Sequence, residues 1–421
     1  MSIQSQRGMQ DIMPQDNAEW RFIEENFRAV CDVFGYGEIR TPVLEDTDLF
    51  QRGVGDTTDV VQKEMYTFMD KGDRCVSLRP EGTASAARAY LQHNEYAKPQ
   101  PIKYFYDIAC YRYEAPQSGR LREFHQFGVE AFGGKNPAVD AEVIAIASTF
   151  FQRVGLQNVS LKLNTIGCPT CRKAYNELLT QKLTEHKEEL CETCRDRLTR
   201  NPMRILDCKS PICSEIASGM PMLIDYVCDE CRDHFEKVKQ LLSGMGIAFE
   251  IDPMIVRGLD YYTKTVFEFK AEGLGSQSTV CGGGRYDGLV EIIGGDPSPG
   301  CGFGLGKERL LMALKAQNAN LPEAKMPDIY IGSMGEQGAD AAAILCHKLR
   351  TQGVWAECDL VGRSVKAQMK YANKVGAKKS IILGDSEIEA NEAVLKDMAG
   401  GENVTVSLND MNTLVALVKG R

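Results

Sequence analysis

Two strand-like runs, KYFYDIACYRY over 103–113 and EFHQFGVEAF over 123–132, flank the short segment EAPQSGRLR. Pro116 has no N–H to give a ladder and Gly119 accepts turn backbone, so the segment is a turn and the runs form a long antiparallel hairpin. A chain containing such a pair builds an antiparallel sheet around it. Side chains alternate along a strand, which puts Gln126 and Glu130 on one face. TKTVFEF over 263–269 and the region of STVCGGGRYD over 278–287 read as further strands, and GLGKERLLMALKA from Gly304 reads as a helix. The expectation is an α+β fold, an antiparallel sheet flanked by helices.

Ahead of the hairpin, Trp20, Ile23, Phe27, Val30 and Phe34 recur at three- and four-residue steps, one face of a helix over 16–34. Asp16 or Asn17 is placed to cap it, and Gly35 and Gly37 to end it. Pro42 in EIRTPVLEDTDLF then suits a strand edge or an interface. At 421 residues the chain exceeds one ordinary domain. Past Pro322–Pro327, strand-like IYIGS, VWAECD, KKSIILG, AVLKDM and NVTVSL alternate with helical patterns over 338–352 and 366–375. That alternation predicts a small α/β domain over 326–421 with a partly parallel sheet. Between Cys168 and Cys231 the sequence turns helical, charge-rich and cysteine-rich. It reads as a domain over 168–240 inserted into a first domain over 1–325.

With 43% hydrophobic and 25% charged residues the chain is globular rather than disordered. Apolar runs such as 144–151 are too short to span a bilayer, and MSIQSQRGMQD lacks the apolar stretch of a signal peptide. A cytoplasmic protein without a membrane partner is expected. Its fifteen cysteines then point to reduced thiols or metal ligands, not disulfides. Cys168-x2-Cys171, Cys191-x2-Cys194, Cys208-x4-Cys213 and Cys228-x2-Cys231 fit tetrahedral zinc sites, with enough ligands for two and the pairing left open. An all-cysteine site has no open position, so the zinc would be structural. Cys281 and Cys301 read as small core residues.

Arg112, Glu114, Arg120 and Arg122 surround the hairpin turn. Arginine suits bidentate phosphate recognition, although surface ion pairs would use the same residues. Arg309, in an apolar helix, needs an anionic partner or must reach solvent. Gly282, Gly283 and Gly284 permit close approach to a ligand, or a turn. The net charge of -9 argues against wholesale coating by nucleic acid. Even so, Arg363, Lys366, Lys370 and Lys374, at steps of three, four and four, place four positive charges on one helix face, with Lys378 and Lys379 beyond. Such a stripe is either a solvated face or a nucleic-acid contact.

These segments resemble the class II aminoacyl-tRNA synthetases. RTPVLED resembles motif 1, the dimer-interface signature, YRYEAPQSGRLREFHQFGVEAFG resembles motif 2 and GFGLGKERLLM motif 3, while RPEGTA and RGLDYYTKTVFEF resemble the two blocks that set histidyl-tRNA synthetases apart. The resemblance implies activation of L-histidine with ATP and Mg²⁺, transfer to tRNA(His), and a homodimer. It implies catalytic roles for Arg257, at the α-phosphate, and for Arg112 and Arg309, which bind ATP together with Glu114, Arg309 also packing on the adenine. Glu81, Thr83 and Gln126 would surround the α-amino group, Glu130 and Tyr262 would hold the imidazole, and Tyr261 and Tyr286 would line the pocket. Gln117, Arg120 and Arg122 would meet the acceptor end of the tRNA, and the C-terminal domain, with Arg363, Lys366, Lys370 and Lys374, its anticodon.

Physical chemistry agrees. Neutral imidazole offers one N–H and one lone pair, which a carboxylate and a tyrosine hydroxyl can read together. Amino acids lacking those groups would be rejected by about 10⁴. A second reading is a histidine-binding regulatory subunit of the kind that supports short-form ATP phosphoribosyltransferase. Those relatives generally lack the C-terminal domain, and this chain keeps it along with Arg112, Arg257 and Arg309.

Overall fold

The computed structural model describes residues 3–55, 58–208, 210–275 and 278–420, and the chain divides into two units, 1–322 and 323–421. The first unit's strands are β1 (Gly37–Glu38), β2 (Leu44–Asp46), β3 (Thr67–Met69), β4 (Cys75–Leu78), β5 (Ile102–Tyr111), β6 (Glu123–Phe132), β7 (Val159–Thr165), β8 (Glu250–Ile251), β9 (Thr263–Ala271), β10 (Thr279–Arg285) and β11 (Gly300–Gly306). Eight of them form a sheet in the order β1-β5-β6-β11-β10-β9-β7-β8, and β2-β4-β3 form a small second sheet. The large sheet is antiparallel from β5 to β7, with parallel pairs at its two edges.

Strand alternation gives this sheet two different faces. Phe105, Phe127, Val129, Ala131, Phe267, Phe269, Cys281, Cys301, Phe303 and Leu305 point into one core. Helices α1 (Asn17–Val33), α4 (Pro137–Arg153) and α10 (Lys307–Ala316) contribute Phe27, Ile144, Phe150 and Leu310 to it. Phe27 stacks on Phe127 at 4.3 Å between ring centroids and meets Phe150 edge-on at 5.2 Å. Truncating an aromatic packed this way typically costs about 3–5 kcal/mol. The opposite face carries Tyr106, Gln126, Glu130 and a run of glycines. Helices α2 (Thr47–Val54), α3 (Thr83–Gln92), α5 (Pro169–Thr184), α6 (Glu192–Arg200), α7 (Pro211–Ser218), α8 (Asp229–Gly244) and the single turn α9 (Leu289–Ile292) complete the unit, with α5 to α8 making up the cysteine-rich region.

Three local expectations need correction. Asp16 stands at the start of α1, but its side chain makes no capping hydrogen bond. The helix does end on Gly35, whose φ of +75° lets the Tyr36 N–H reach back to the Cys31 carbonyl at 2.9 Å. Pro42 lies between β1 and β2 rather than in a strand, and its carbonyl accepts from Arg79. Residues 304–306 end a strand instead of opening a helix. Gly302, Gly304 and Gly306 recur at the strand period of two, pair with β6, and leave α10 to begin at Lys307.

In the second unit β12 (Ile329–Ser333), α11 (Gly335–Thr351), β13 (Ala356–Cys358), α12 (Val365–Lys374), β14 (Lys379–Leu383), α13 (Asp385–Ala390), β15 (Glu392–Asp397), β16 (Val404–Ser407) and α14 (Met411–Lys419) follow one another. The sheet order is β13-β12-β14-β15-β16, parallel across the first three strands and antiparallel after them. Gln368 of α12, 2% exposed, accepts from the Ser333 N–H at 2.8 Å and donates to the Ser333 carbonyl at 2.9 Å, fixing that helix to β12.

Candidate active site

Glycines make room for the site. Gly302 lies opposite Glu130, Gly304 opposite Gly128 and Gly306 opposite Gln126, while Gly282 and Gly284 pair with Gly304 and Gly302. A Cβ on Gly282 would stand 2.5 Å from the Arg257 guanidinium, and one on Gly304 2.5 Å from Gln126 Nε2. Gly302 likewise lies under the Glu130 carboxylate and Gly284 under the Tyr262 ring. These side chains rest on bare backbone, which sets Glu130 and Tyr262 over the paired glycines Gly302 and Gly284.

Glu130 is fully buried. It accepts from Thr83 Oγ1 at 2.7 Å and Tyr106 Oη at 2.9 Å on one oxygen, and from the Tyr286 hydroxyl on the other. Burial pushes its carboxyl up to about 8, against the opposing pull of the hydroxyls of Tyr286 and Thr83. Glu81 sits where α3 begins. Its oxygens accept from the N–H groups of Thr83 at 2.9 Å and Ala84 at 2.7 Å, and Tyr261 Oη lies 3.4 Å away. Burial raises this carboxyl too, opposed by those two N–H groups. Gln126 Oε1 accepts from the Gly82 N–H at 3.2 Å. Glu81, Thr83, Gln126, Glu130, Tyr261, Tyr262 and Tyr286 are thus gathered around one face of the sheet.

Beside them lies a cavity of about 220 Å³ lined by Arg112, Glu114, Arg120, Gln126, Arg257, Glu308 and Arg309, among others. Arg257 pairs with Glu268, which also accepts from Thr279 Oγ1 at 3.0 Å. Arg257 Nε is buried and has no hydrogen-bond partner among the described residues. Arg112 donates to the Pro80 carbonyl at 2.9 Å and lies 5.3 Å from the Phe124 ring. Arg309, which its apolar helix leaves in need of an anion or of solvent, also finds carbonyl oxygens. Its Nε donates to the Gly119 carbonyl at 2.8 Å and its Nη1 to the Thr279 carbonyl at 3.1 Å, joining the hairpin turn to β10.

The three turn residues part company. Arg120 turns into the cavity and pairs with Glu114, Arg122 lies 3.7 Å from the Tyr113 ring, and Gln117 is exposed. In the second unit, Arg363 lies just before α12. It pairs with Asp359 at 2.7 Å and covers the Tyr371 ring at 4.3 Å. Lys366, Lys370 and Lys374 are exposed on α12 with no ion pair among the described residues. Lys378 and Lys379 pair with Asp328 and Asp397.

The cysteines assemble into two groups, Cys168/Cys171/Cys228/Cys231 and Cys191/Cys194/Cys208/Cys213, each with its sulfurs within 4.8 Å of one another. Sulfur separations of 3.5 Å for Cys168–Cys171, 4.0 Å for Cys171–Cys231 and 3.9 Å for Cys191–Cys208 are far too long for disulfides. They match the edge of about 3.8 Å that a tetrahedron with Zn–S bonds of about 2.3 Å requires. N–H groups of Cys228 and Cys191 donate to the sulfurs of Cys171 and Cys213 at 3.1 and 3.2 Å, as charged thiolates favour.

Several residues of the site escaped the sequence reading. Tyr106 lies against Gly82 and Gly128, and a tyrosine facing a glycine across a hairpin was the available signal. Asp140, a buried acid in the largely apolar helix α4, pairs with Arg285 and accepts from His234 Nε2 at 3.1 Å, all three buried. Burial opposes its ionisation, but His234 and Arg285 hold it down at about 2. Arg285 directly precedes Tyr286, so this network anchors one wall of the Glu130 cage. On the opposite face of the sheet and outside the site, Lys307, 2% exposed, pairs with Asp107 at 2.8 Å and with Glu24 of α1, over the Trp20 and Phe127 rings.

The sheet order, the arginine-bearing hairpin over a cavity and the helix that follows β11 together define a class II aminoacyl-tRNA synthetase. Residues 8–199 and 217–310 match the family model for histidyl-tRNA synthetase, and 328–416 match the anticodon-binding domain. Histidine–tRNA ligases of Acetivibrio thermocellus and Clostridium perfringens are 52% identical over 419 and 420 residues, covering 100% of both chains in each case. The apo histidyl-tRNA synthetase of S. aureus matches with a TM-score of 0.82 at 40% identity, covering 100% of this chain and 99% of that one. The chain belongs to the histidyl-tRNA synthetase family.

Proposed function

We propose that the glycine-backed Glu130 and Tyr262 and the neighbouring cavity form the adenylation site through which this chain carries out its family's reaction, the ATP-dependent ligation of histidine to tRNA. One observation carries the assignment: Glu130 with its hydroxyl cage faces Tyr262 across bare glycine backbone, immediately beside the cavity that holds Arg257. The imidazole is read by this pair, one ring nitrogen by Glu130 and the other by the Tyr262 hydroxyl, with Tyr261 and Tyr286 as walls. Glu81, Thr83 and Gln126 receive the α-ammonium group.

The histidine carboxylate then attacks the α-phosphorus of ATP in line and pyrophosphate leaves. That nucleophile is already an anion, so no general base is required, and positioning with charge neutralisation carries the rate. Arg257 stands at the α-phosphate, its unpartnered Nε a ready donor. Arg112 and Arg309 hold the phosphates, with Arg309 against the adenine and Glu114 beside the nucleotide. Mg²⁺ arriving with ATP would add positive charge at the leaving group. In the second step a terminal ribose hydroxyl of tRNA(His) attacks the adenylate carbonyl and AMP leaves. Gln117, Arg120 and Arg122 serve the acceptor end, and Lys366, Lys370 and Lys374 the anticodon side.

The same reading takes 1–325 as the catalytic domain, interrupted by an insertion over 168–240, and 326–421 as the anticodon-binding domain, in a cytoplasmic homodimer. Among the described residues no helix is long and apolar enough to cross a membrane. Each cysteine group holds one structural zinc ion. Histidine-dependent exchange of pyrophosphate into ATP, followed by charging of tRNA bearing the histidine anticodon, tests the enzyme. No exchange, with active-site titration near zero, ends the reading. Metal analysis of protein purified without chelator should find one zinc for each group, and a content below about 0.2 per chain removes the zinc assignment.

A further inference from the structure

Arg257, Tyr261 and Tyr262 all sit on a loop that belongs to neither helix nor strand, between β8 and β9. Its own backbone therefore does little to fix it. Three side chains of the cysteine-rich insertion grip it instead. Arg204 Nη1 donates to the Arg257 carbonyl at 3.0 Å, Asn201 Nδ2 donates to Asp260 Oδ1 at 3.1 Å, and Arg172 Nη1 donates to the Tyr262 carbonyl at 3.0 Å. The middle of the loop and its end at β9 are held at once, while Asn164 of β7 donates to the Pro253 and Ile255 carbonyls nearer its start at 3.1 Å. Packing reinforces the grip, because Met203, Ile205 and Leu206 share a buried cluster with Ile255, Tyr261 and Tyr262.

The three gripping residues are placed by the cysteines. Arg172 follows Cys171 directly, and Asn201 and Arg204 lie between Cys194 and Cys208, so the second cysteine group closes the segment that carries them. Residues 200–216, which include Arg204, Cys208 and Cys213, fall outside the stretch that matches the family model.

We propose that the insertion is a metal-anchored brace on the adenylation loop, with Arg204 as its main positioning residue and Arg172 as its second. Without metal the cysteine groups lose their common centre, the segment from Cys194 to Cys208 loosens, and the Arg257 main chain loses its donor. The inference rests on the assignments of Arg257 to the α-phosphate and of zinc to the cysteines. A misplacement of about 1 Å in a reacting group can cost about 100-fold in rate, which sets the expected scale.

The test uses the full-length, zinc-loaded protein and its Arg204→Ala and Arg204→Lys variants. In pyrophosphate exchange Arg204→Ala should lower kcat by about 10- to 100-fold while KM for histidine and ATP moves less than about 3-fold. Arg204→Lys, which can still donate to the carbonyl, should recover much of the loss. Amide hydrogen exchange over 257–262 should quicken in Arg204→Ala with zinc content unchanged. Releasing the zinc with a mercurial and a chelator should quicken the same amides in the wild type and add little in Arg204→Ala, because both act through one contact. Unchanged kcat in Arg204→Ala, or zinc release and Arg204→Ala acting independently, overturns the brace. Failure of the underlying assignments looks different: Arg257→Ala would leave exchange intact, or the purified protein would hold no zinc.

Discussion

Glu130→Gln should abolish the pH dependence that this one carboxyl imposes on the ligand-free protein. Burial pushes Glu130 up to about 8 in the folded chain, from an ordinary value of 4.5. A carboxyl raised by folding contributes stability that is fully present below the unfolded value and is lost as pH rises through the folded one. Within that window the folded state binds one proton that the unfolded state does not, so stability falls by about 1.4 kcal/mol per pH unit. Across the interval the change is on the order of 5 kcal/mol. Glutamine cannot titrate. At pH 5 it replaces a neutral carboxyl of the same shape, keeps an oxygen for Thr83 and Tyr106, and presents an amide to the Tyr286 hydroxyl, at a cost of about 1 kcal/mol. Near pH 8.5 the variant should therefore be the more stable protein by several kcal/mol.

Urea unfolding over pH 5 to 8.5 without histidine measures this. The chain has two tryptophans. In a Trp355→Phe background the signal comes from Trp20 alone, 5.0 Å from His125 and packed against the core of the first unit. Parallel pH profiles with and without the Glu130→Gln substitution would refute the argument, because a carboxyl that ionises normally in the folded state has no such linkage.

Other perturbations follow from the same geometry. Arg257→Ala should depress adenylate formation far more than histidine affinity, read as kcat in pyrophosphate exchange against equilibrium binding of histidine. Gly282→Ala, whose new methyl would stand 2.5 Å from the Arg257 guanidinium, should reproduce most of that loss without touching a polar group, and unaltered exchange would place Arg257 elsewhere. Asp140→Ala removes the fully buried partner of Arg285 and His234, leaving Arg285 only Asp287 as an anionic partner, and should cost about 3 kcal/mol in urea unfolding. Replacing Lys366, Lys370 and Lys374 together by Ala should weaken tRNA binding and flatten its salt dependence by up to about 2 in log–log slope, with pyrophosphate exchange unchanged.

The central sheet was legible in the sequence because its signals are local. The hairpin announces itself by alternation and by Pro116 and Gly119, and the Phe/Val positions of β6 and β9 repeat with the period of two that a two-faced sheet needs. Legibility failed where a local pattern had two readings. GLGKERLLMALKA contains a real helix, but its first three residues end a strand whose Gly304 passes under Gln126, as Gly302 does under Glu130. Arg363 keeps the helical spacing of the lysines, yet it lies before the helix and its charge is paired with Asp359. Spacing along a chain cannot reveal a competing partner.

Resemblance could nominate Glu130 and Tyr262 as partners in recognition, but not what tunes them. Three hydroxyls, from a helix start, the neighbouring strand and the end of β10, converge on Glu130 from positions 47, 24 and 156 residues away. That cage has a chemical consequence. A neutral Glu130 offers one donor and one acceptor, and so does neutral imidazole. If bound histidine turns its N–H toward Glu130, an ionised carboxylate accepts it more strongly than the neutral carboxyl does, so binding pulls the Glu130 proton off. Binding histidine near pH 7 should then release a fraction of a proton, seen as a binding enthalpy that varies with the ionisation enthalpy of the buffer. The Glu130→Gln variant should show no such variation. If both proteins show equal buffer dependence, the proton comes from another group and Glu130 is ionised before histidine arrives.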